Sequence, residues 1–250
     1  LGEFAPEVRI LDAPWLFNGT AEIDYIYEKF AGEFEKAFES RGYVLLGWSE
    51  VGFVHVFSKT PARTIAEMRT LKIWVWEGDP IAESAYKALG IHPIPLSVTD
   101  VNTSLQTVLI DSVYSAPLYA IALQWHEKTR FIHQVPVAHA CGAVLLAKKV
   151  FDALAPGQRE ALLRISRRRL GELNLQTRKD NDAALETLKK QGLQITAPAS
   201  SEDPKAFETA GRAARRELVG RLYSGDFLAR VEKSLSEFRS KRTGAPAQSR

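Results

Sequence analysis

Cysteine is nearly absent. Cys141 is the single one in 250 residues, which excludes an intramolecular disulfide and any cysteine-based zinc site. It leaves the compartment open, since many exported proteins carry no disulfide. Long apolar runs are also missing: stretches such as residues 118–123 and 143–147 are far short of the roughly 20 residues a spanning helix needs. The chain opens Leu1-Gly2-Glu3-Phe4 with neither an initiator Met nor a basic leader segment, which reads as a processed or cropped product. The sequence contains no Gly-x-Ser-x-Gly, no P-loop, no Gly-x-Gly-x-x-Gly after a strand and no His-Glu-x-x-His. The histidines, His55, His92, His126, His133 and His139, never fall three to five residues apart, so local metal-ligand spacing is missing. These absences weigh against an enzyme and imply no cofactor.

What is present is ordinary globular composition, 45% hydrophobic and 25% charged, enough for one large domain or two lobes. The formal charge of +3 is unevenly spread. Residues 1–140 hold 11 Lys and Arg against 17 Asp and Glu, and residues 141–250 hold 22 against 13. The basic residues of the second part are interleaved with acids along helical patterns, which describes solvated helix faces rather than a nucleic-acid surface.

Periodicity predicts a helix over 20–41, with Ile23, Ile26, Phe30, Phe34 and Phe38 on one face. Two strands follow, 43–48 and 53–57. Thr64-Ile65-Ala66-Glu67 is a capping-box sequence. Strands then alternate with helices: strands over 72–76, 93–96, 109–114, 130–135 and 142–147, helices over 80–89, 99–107 and 118–127. Such alternation implies an α/β fold. After residue 148 the character changes. A long polar helix is expected from Pro156 to Lys190, stopped by Gly192, then a minimal strand at 193–195 and helices over 203–223 and 226–239. The polar end, 240–250, reads as a disordered tail.

Few residues stand out chemically. His133 and His139 flank a strand–turn, and Cys141 with His139 could imitate a nucleophile–base pair; hydrogen-bonded histidines and an isolated buried thiol are the plainer readings. Trp48, Trp74 and Trp76 fall at or near strand ends, where ligands bind in open α/β sheets. Trp74 and Trp76 are two apart on one strand and so share a face, as two walls of a pocket or as core. Glu77 and Asp79 follow, able to accept hydrogen bonds from a ligand, or, for Asp79 before Pro80, to cap a helix.

One combination of segments is more specific. Leu71-Lys72-Ile73-Trp74-Val75 is followed by Lys87-Ala88-Leu89-Gly90-Ile91-His92-Pro93-Ile94-Pro95, then Asp100-Val101, Leu105-Gln106-Thr107, Ile110-Asp111 and Ala116-Pro117-Leu118. With Leu11-Asp12-Ala13-Pro14-Trp15-Leu16-Phe17 and Lys148-Lys149-Val150-Phe151, this resembles the extracytoplasmic solute-binding proteins of TRAP transporters over most of the chain. The resemblance implies a two-lobed α/β fold of the periplasmic-binding-protein kind with long C-terminal helices. It implies a periplasmic, non-enzymatic receptor that closes over a small-molecule solute and delivers it to inner-membrane permease subunits. The expected division is 1–58 for the remainder of the first lobe, 59–147 for the second lobe with crossing strands, and 148–239 for a hinge helix and packing helices.

Three departures shape the expected ligand. The arginine of the family's "Leu-Lys-Ile-Arg-Val" strand is Trp74, a second arginine matching Gly52-Phe53-Val54 is Val54, and "Asp-Gly-Gln-Glu-Asn-Pro" is Asp111-Ser112-Val113-Tyr114-Ser115-Ala116-Pro117. A guanidinium that clamps a carboxylate bidentately is replaced by an aromatic plane. The ligand is therefore expected to have an apolar or aromatic body rather than to be a simple carboxylate. Trp48, Trp74, Trp76 and Tyr114 would be its walls, and Glu50, Glu77 and Asn102 its polar contacts; a cation would also suit aromatic rings beside Glu50 and Glu77. Family members carry further strand–helix units before the segment matching Leu1, so an incomplete first lobe with unpaired strand edges is expected. Two alternatives stay open: a carrier of a lipid-like or sterol-like molecule working with other machinery, and a truncated module that self-assembles into a homo-oligomer and binds nothing small.

Overall fold

The computed structural model describes residues 4–199 and 203–243. A 3-10 turn, Pro6–Asp12, leads to α1 (Thr20–Lys29) and α2 (Ala31–Glu39). The helix expected over 20–41 is thus two. It breaks at Phe30, where φ is −108° and ψ is 15°, and the ring packs among Phe34 and Phe227. Chain direction is given up there to bury an aromatic worth roughly 1.5–3 kcal/mol.

The two strands expected next are one, β1 (Tyr43–Ser58). Its register with β6 (Ala138–Ala147) shifts between Leu45 and Gly47 and again between Glu50 and Gly52. Glycine is required at the second bulge, where φ is +115° and an added Cβ would stand 2.7 Å from the Asn181 amide. These bulges let one strand continue where the sequence pattern reads a break.

Beyond β1 come α3 (Ile65–Met68), β2 (Trp74–Trp76), α4 (Pro80–Ala88), β3 (Ile94–Leu96), α5 (Val101–Gln106), β4 (Ser112–Ser115), α6 (Pro117–Ala122) and β5 (Phe131–His133). The first part of β1 pairs antiparallel with β6, and its last residues pair antiparallel with β4 and β5. β5 runs parallel to β7 (Gln194–Thr196), β2 runs parallel to β3, and an Ile73–Ser112 bridge ties β2 to β4. Thr64 caps α3 as its spacing predicts, accepting from the Glu67 amide; Glu67 in turn accepts from the amide of Arg63 rather than of Thr64.

After α7 (Lys148–Asp152), helix α8 runs from Pro156 to Lys190 as expected, with Pro at its first position. Helix α9 (Asp203–Glu217) packs on α4, and α10 (Gly225–Thr243) on α1. The expectation of disorder from residue 240 is corrected for 240–243, which complete α10, where Arg239 holds Glu22 across to α1; residues 244–250 lie outside the described part. Three apolar cores result. The 3-10 turn, α1, α2 and α10 form the first; α4 with Val56 and Phe207 the second; α5, Phe57, Trp74, Trp125 and Leu188 the third. β1 contributes Leu45 to the first core, Val56 to the second and Phe57 to the third, so it threads all of them. Among the described residues, no helix is long and apolar enough to cross a membrane.

Candidate functional site

Where β2 turns into α4, Trp76, Glu77 and Gly78 are exposed and Asp79 caps the helix, its Oδ1 accepting from the Ile81 amide at 3.2 Å. The turn is fixed by backbone bonds from Glu77 N to Leu96 O and from Asp79 N to Trp76 O. It forms one wall of a cavity of about 620 Å³. The opposite surfaces come from Arg9 and Asp12 of the 3-10 turn, Val51 and Val54 of β1, residues 137–141, and Arg221 with Leu222.

Charge inside this cavity is largely spent on itself. Arg9 donates through Nε to Asp12 (2.7 Å) and through Nη2 to Asp79 (3.1 Å). Tyr114 donates to the other Asp79 oxygen at 3.0 Å. Burial pushes the Asp12 carboxyl up, although Arg9 and the Cys141 amide pull it down. The Cys141 thiol is pushed well up by burial and by Asp12, so it is a poor nucleophile, and the imitation of a Cys–His pair does not extend to reactivity. Two charged lining groups have no hydrogen-bond or ionic partner for their side chains among the described residues: the Glu77 carboxylate and the Arg221 guanidinium.

Of the residues singled out from sequence, the fold brings together Trp76, Glu77 and Tyr114. Four others are corrected. Trp74 is 3% exposed; its ring stacks on Tyr114, meets Trp125 edge-on, and donates Nε1 to Leu96 O. β2 is only three residues long, so the chain leaves the sheet at Trp76, which is 58% exposed. The two indoles are therefore not a pair of walls. Trp48 is half-buried against the first core, stacked on Tyr27 at 5.0 Å and edge-on to Phe34. Asn102 is half-buried, donating to Leu123 O.

Glu50 is buried and turns to α8, where Arg178 grips both its oxygens at 2.6 and 2.8 Å and also holds Asp24. Burial alone would raise the Glu50 pKa; His139 and Arg178 outweigh it and hold it below the usual 4.5. Asn174 and Asn181, one turn either side of Arg178 on the same helix face, bond the bulged backbone of β1. Asn174 accepts from Glu50 N and donates to Trp48 O, while Asn181 donates to Val51 O and accepts from Leu118 N. A second cavity of about 390 Å³ lies here, lined by Glu50, His55, His139 and Arg178. His139 is buried with neither ring nitrogen bonded, and its Nε2 stands 3.8 Å from Glu50. Among the described residues no group of three or more His, Cys, Asp or Glu could hold a metal ion.

Sequence reasoning missed Arg9, Asp12 and Arg221. The spacing of Arg9 and Asp12 suggests a local pair, but nothing in it points to Asp79, seventy residues on.

The pattern of the family described as bacterial extracellular solute-binding protein, family 7, matches residues 1–220. The chain belongs to this family. It is a transport receptor of the periplasm and not an enzyme. Receptors of this family bind small solutes and work with membrane permease components. The 2,3-diketo-L-gulonate-binding periplasmic protein of Escherichia coli is 27% identical over 232 residues, covering 91% of this chain and 70% of the relative. The fold matches that of a TRAP periplasmic solute-binding protein from Ochrobactrum anthropi, with a TM-score of 0.85 at 20% identity, over 96% of this chain and 75% of that one. It also matches one from Desulfovibrio salexigens with bound orotic acid, with a TM-score of 0.83 at 20% identity, over 95% and 77%. The two-lobed α/β architecture expected of this family 7 receptor is thus its fold.

Proposed function

We propose that this receptor captures its solute in the cavity between the β2–α4 turn and the β1–β6 pair, and that the solute has an apolar or aromatic body rather than being a simple carboxylate. The observation that carries this reading is the state of Arg9. Arg9 already gives Nε to Asp12 and Nη2 to Asp79, so its positive charge is shared by two carboxylates before a ligand carboxylate could compete for it. The remaining surface is dominated by Val51, Val54, Trp76, Tyr114, Val137 and Leu222, the apolar lining with few polar groups that small-molecule sites use. Trp76, Tyr114 and Glu77 are the proposed contacts. Trp74 supports Tyr114 from beneath, and Glu50 and Trp48 act through the shape of β1.

A carboxylate solute is the second reading, favoured by Arg221, whose guanidinium lines the cavity without an ionic partner among the described residues. It is also favoured by the solutes named for relatives, 2,3-diketo-L-gulonate, galacturonate and orotic acid. Native mass spectrometry followed by denaturing extraction separates the two. A co-purified neutral or cationic compound with an apolar body is the expected result; a carboxylic acid would replace the first reading by the second. The same spectrum reads self-association. An empty dimer or larger assembly would favour the self-assembling module.

A further inference from the structure

The charge and aromatic content of the cavity go further than its apolar lining. Three carboxylates, Asp12, Glu77 and Asp79, face two guanidiniums, Arg9 and Arg221. Arg9 is shared by two of the carboxylates, and the third, Glu77, has no ionic partner among the described residues. Next to Glu77 the indole of Trp76 stands 58% exposed at the cavity wall, on a turn held by two backbone bonds. An indole left 58% exposed forgoes more than half of the burial that folding could give it. Its electron-rich face is the best side-chain surface for a cation.

We propose that the solute is an organic ammonium: a positively charged nitrogen carried on an apolar or aromatic body, with the cation over the Trp76 indole beside Glu77 and the body against Val54 and Tyr114. This rests on the reading of the cavity as the solute site. An anion placed on the same wall would be repelled by the Glu77 carboxylate beside it. Among the described residues Arg221 is the unpaired group that works against a cation here, so its removal should favour binding.

Titration calorimetry with an isosteric pair, meta-hydroxyphenyl trimethylammonium and the uncharged meta-tert-butylphenol, isolates the positive charge, and the anion meta-tert-butylbenzoate tests whether a carboxylate on a similar body binds instead. The expected result is that the ammonium binds about tenfold or more tighter than the phenol, with the benzoate weakest. Glu77→Gln and Trp76→Leu, both changes at exposed positions, should each remove most of that preference, read as the ratio of ammonium to phenol affinity within each variant. Arg221→Met should strengthen ammonium binding. Equal or tighter binding of the phenol overturns the charge assignment and leaves the apolar reading standing. Tightest binding of the benzoate overturns both, and no binding of the ammonium overturns the proposal outright.

Discussion

Two regions meet at β1 and treat polar groups in opposite ways. Along α8 almost everything is satisfied. The Glu50 carboxylate takes both arms of Arg178, and the strand backbone freed by the bulges is bonded by Asn174 and Asn181. His139, buried with both ring nitrogens unbonded, is the exception. At the β2–α4 turn an indole and a carboxylate face the cavity with no side-chain hydrogen bond or ion pair among the described residues. Buried polar groups that are fully bonded fix one arrangement of the backbone; exposed groups left unsatisfied on a rigid turn are available to a ligand. The contrast separates scaffold from site within a single receptor, and it can be tested from both ends.

The largest effects belong to the scaffold. Trp74→Ala should cost about 3–5 kcal/mol in chemical denaturation, since its ring is enclosed by Tyr114 and Trp125. Arg178→Met should cost a similar 3–5 kcal/mol, because it strands the Glu50 carboxylate without its cation; adding Glu50→Gln should restore much of that loss. A loss under about 1 kcal/mol for Arg178→Met would mean the α8 contact is no more than a surface ion pair. Because the folded Glu50 pKa lies below 4.5, the unfolded chain binds the extra proton as pH falls. The Glu50 contribution is present above the unfolded value and is lost as pH drops through the folded one. Melting temperature should therefore fall less steeply in acid for Glu50→Gln than for the parent, and parallel curves would remove the pair from the account.

Asn181→Ala comes next, at about 1–3 kcal/mol, for the unpaired Val51 carbonyl and Leu118 amide it leaves. Trp76→Ala is the smallest, within about 0.5 kcal/mol in stability. A large loss there would show the exposed indole to be structural and collapse the comparison.

How much of this was legible in the sequence depends on how local the cause is. Pro156 at the first position, an uninterrupted helical pattern and Gly192 at the end set the limits of α8 within single turns of chain. The caps at Thr64 and Asp79 follow from side chains reaching amides two or three residues away. The family, too, was readable, because its signature is a run of short local motifs. The continuity of β1 was not, since its bulges are stabilised by α8 residues more than 120 positions later.

The same limit divides the site. Local sequence placed Trp76, Glu77 and Asp79 on a strand-to-helix turn, and the strand period put Trp74 and Trp76 on one face. Only the tertiary structure decided that Trp74 is covered by Trp125 and Tyr114 while Trp76 is left in the open. It also decided that Glu50 is spent on Arg178, and that Arg9 reaches Asp79 across the cavity. Hydrogen bonds within a turn of chain need only the neighbouring residues to form. Burial and long-range ion pairs depend on which distant surfaces the completed fold presses together, and no local pattern encodes that.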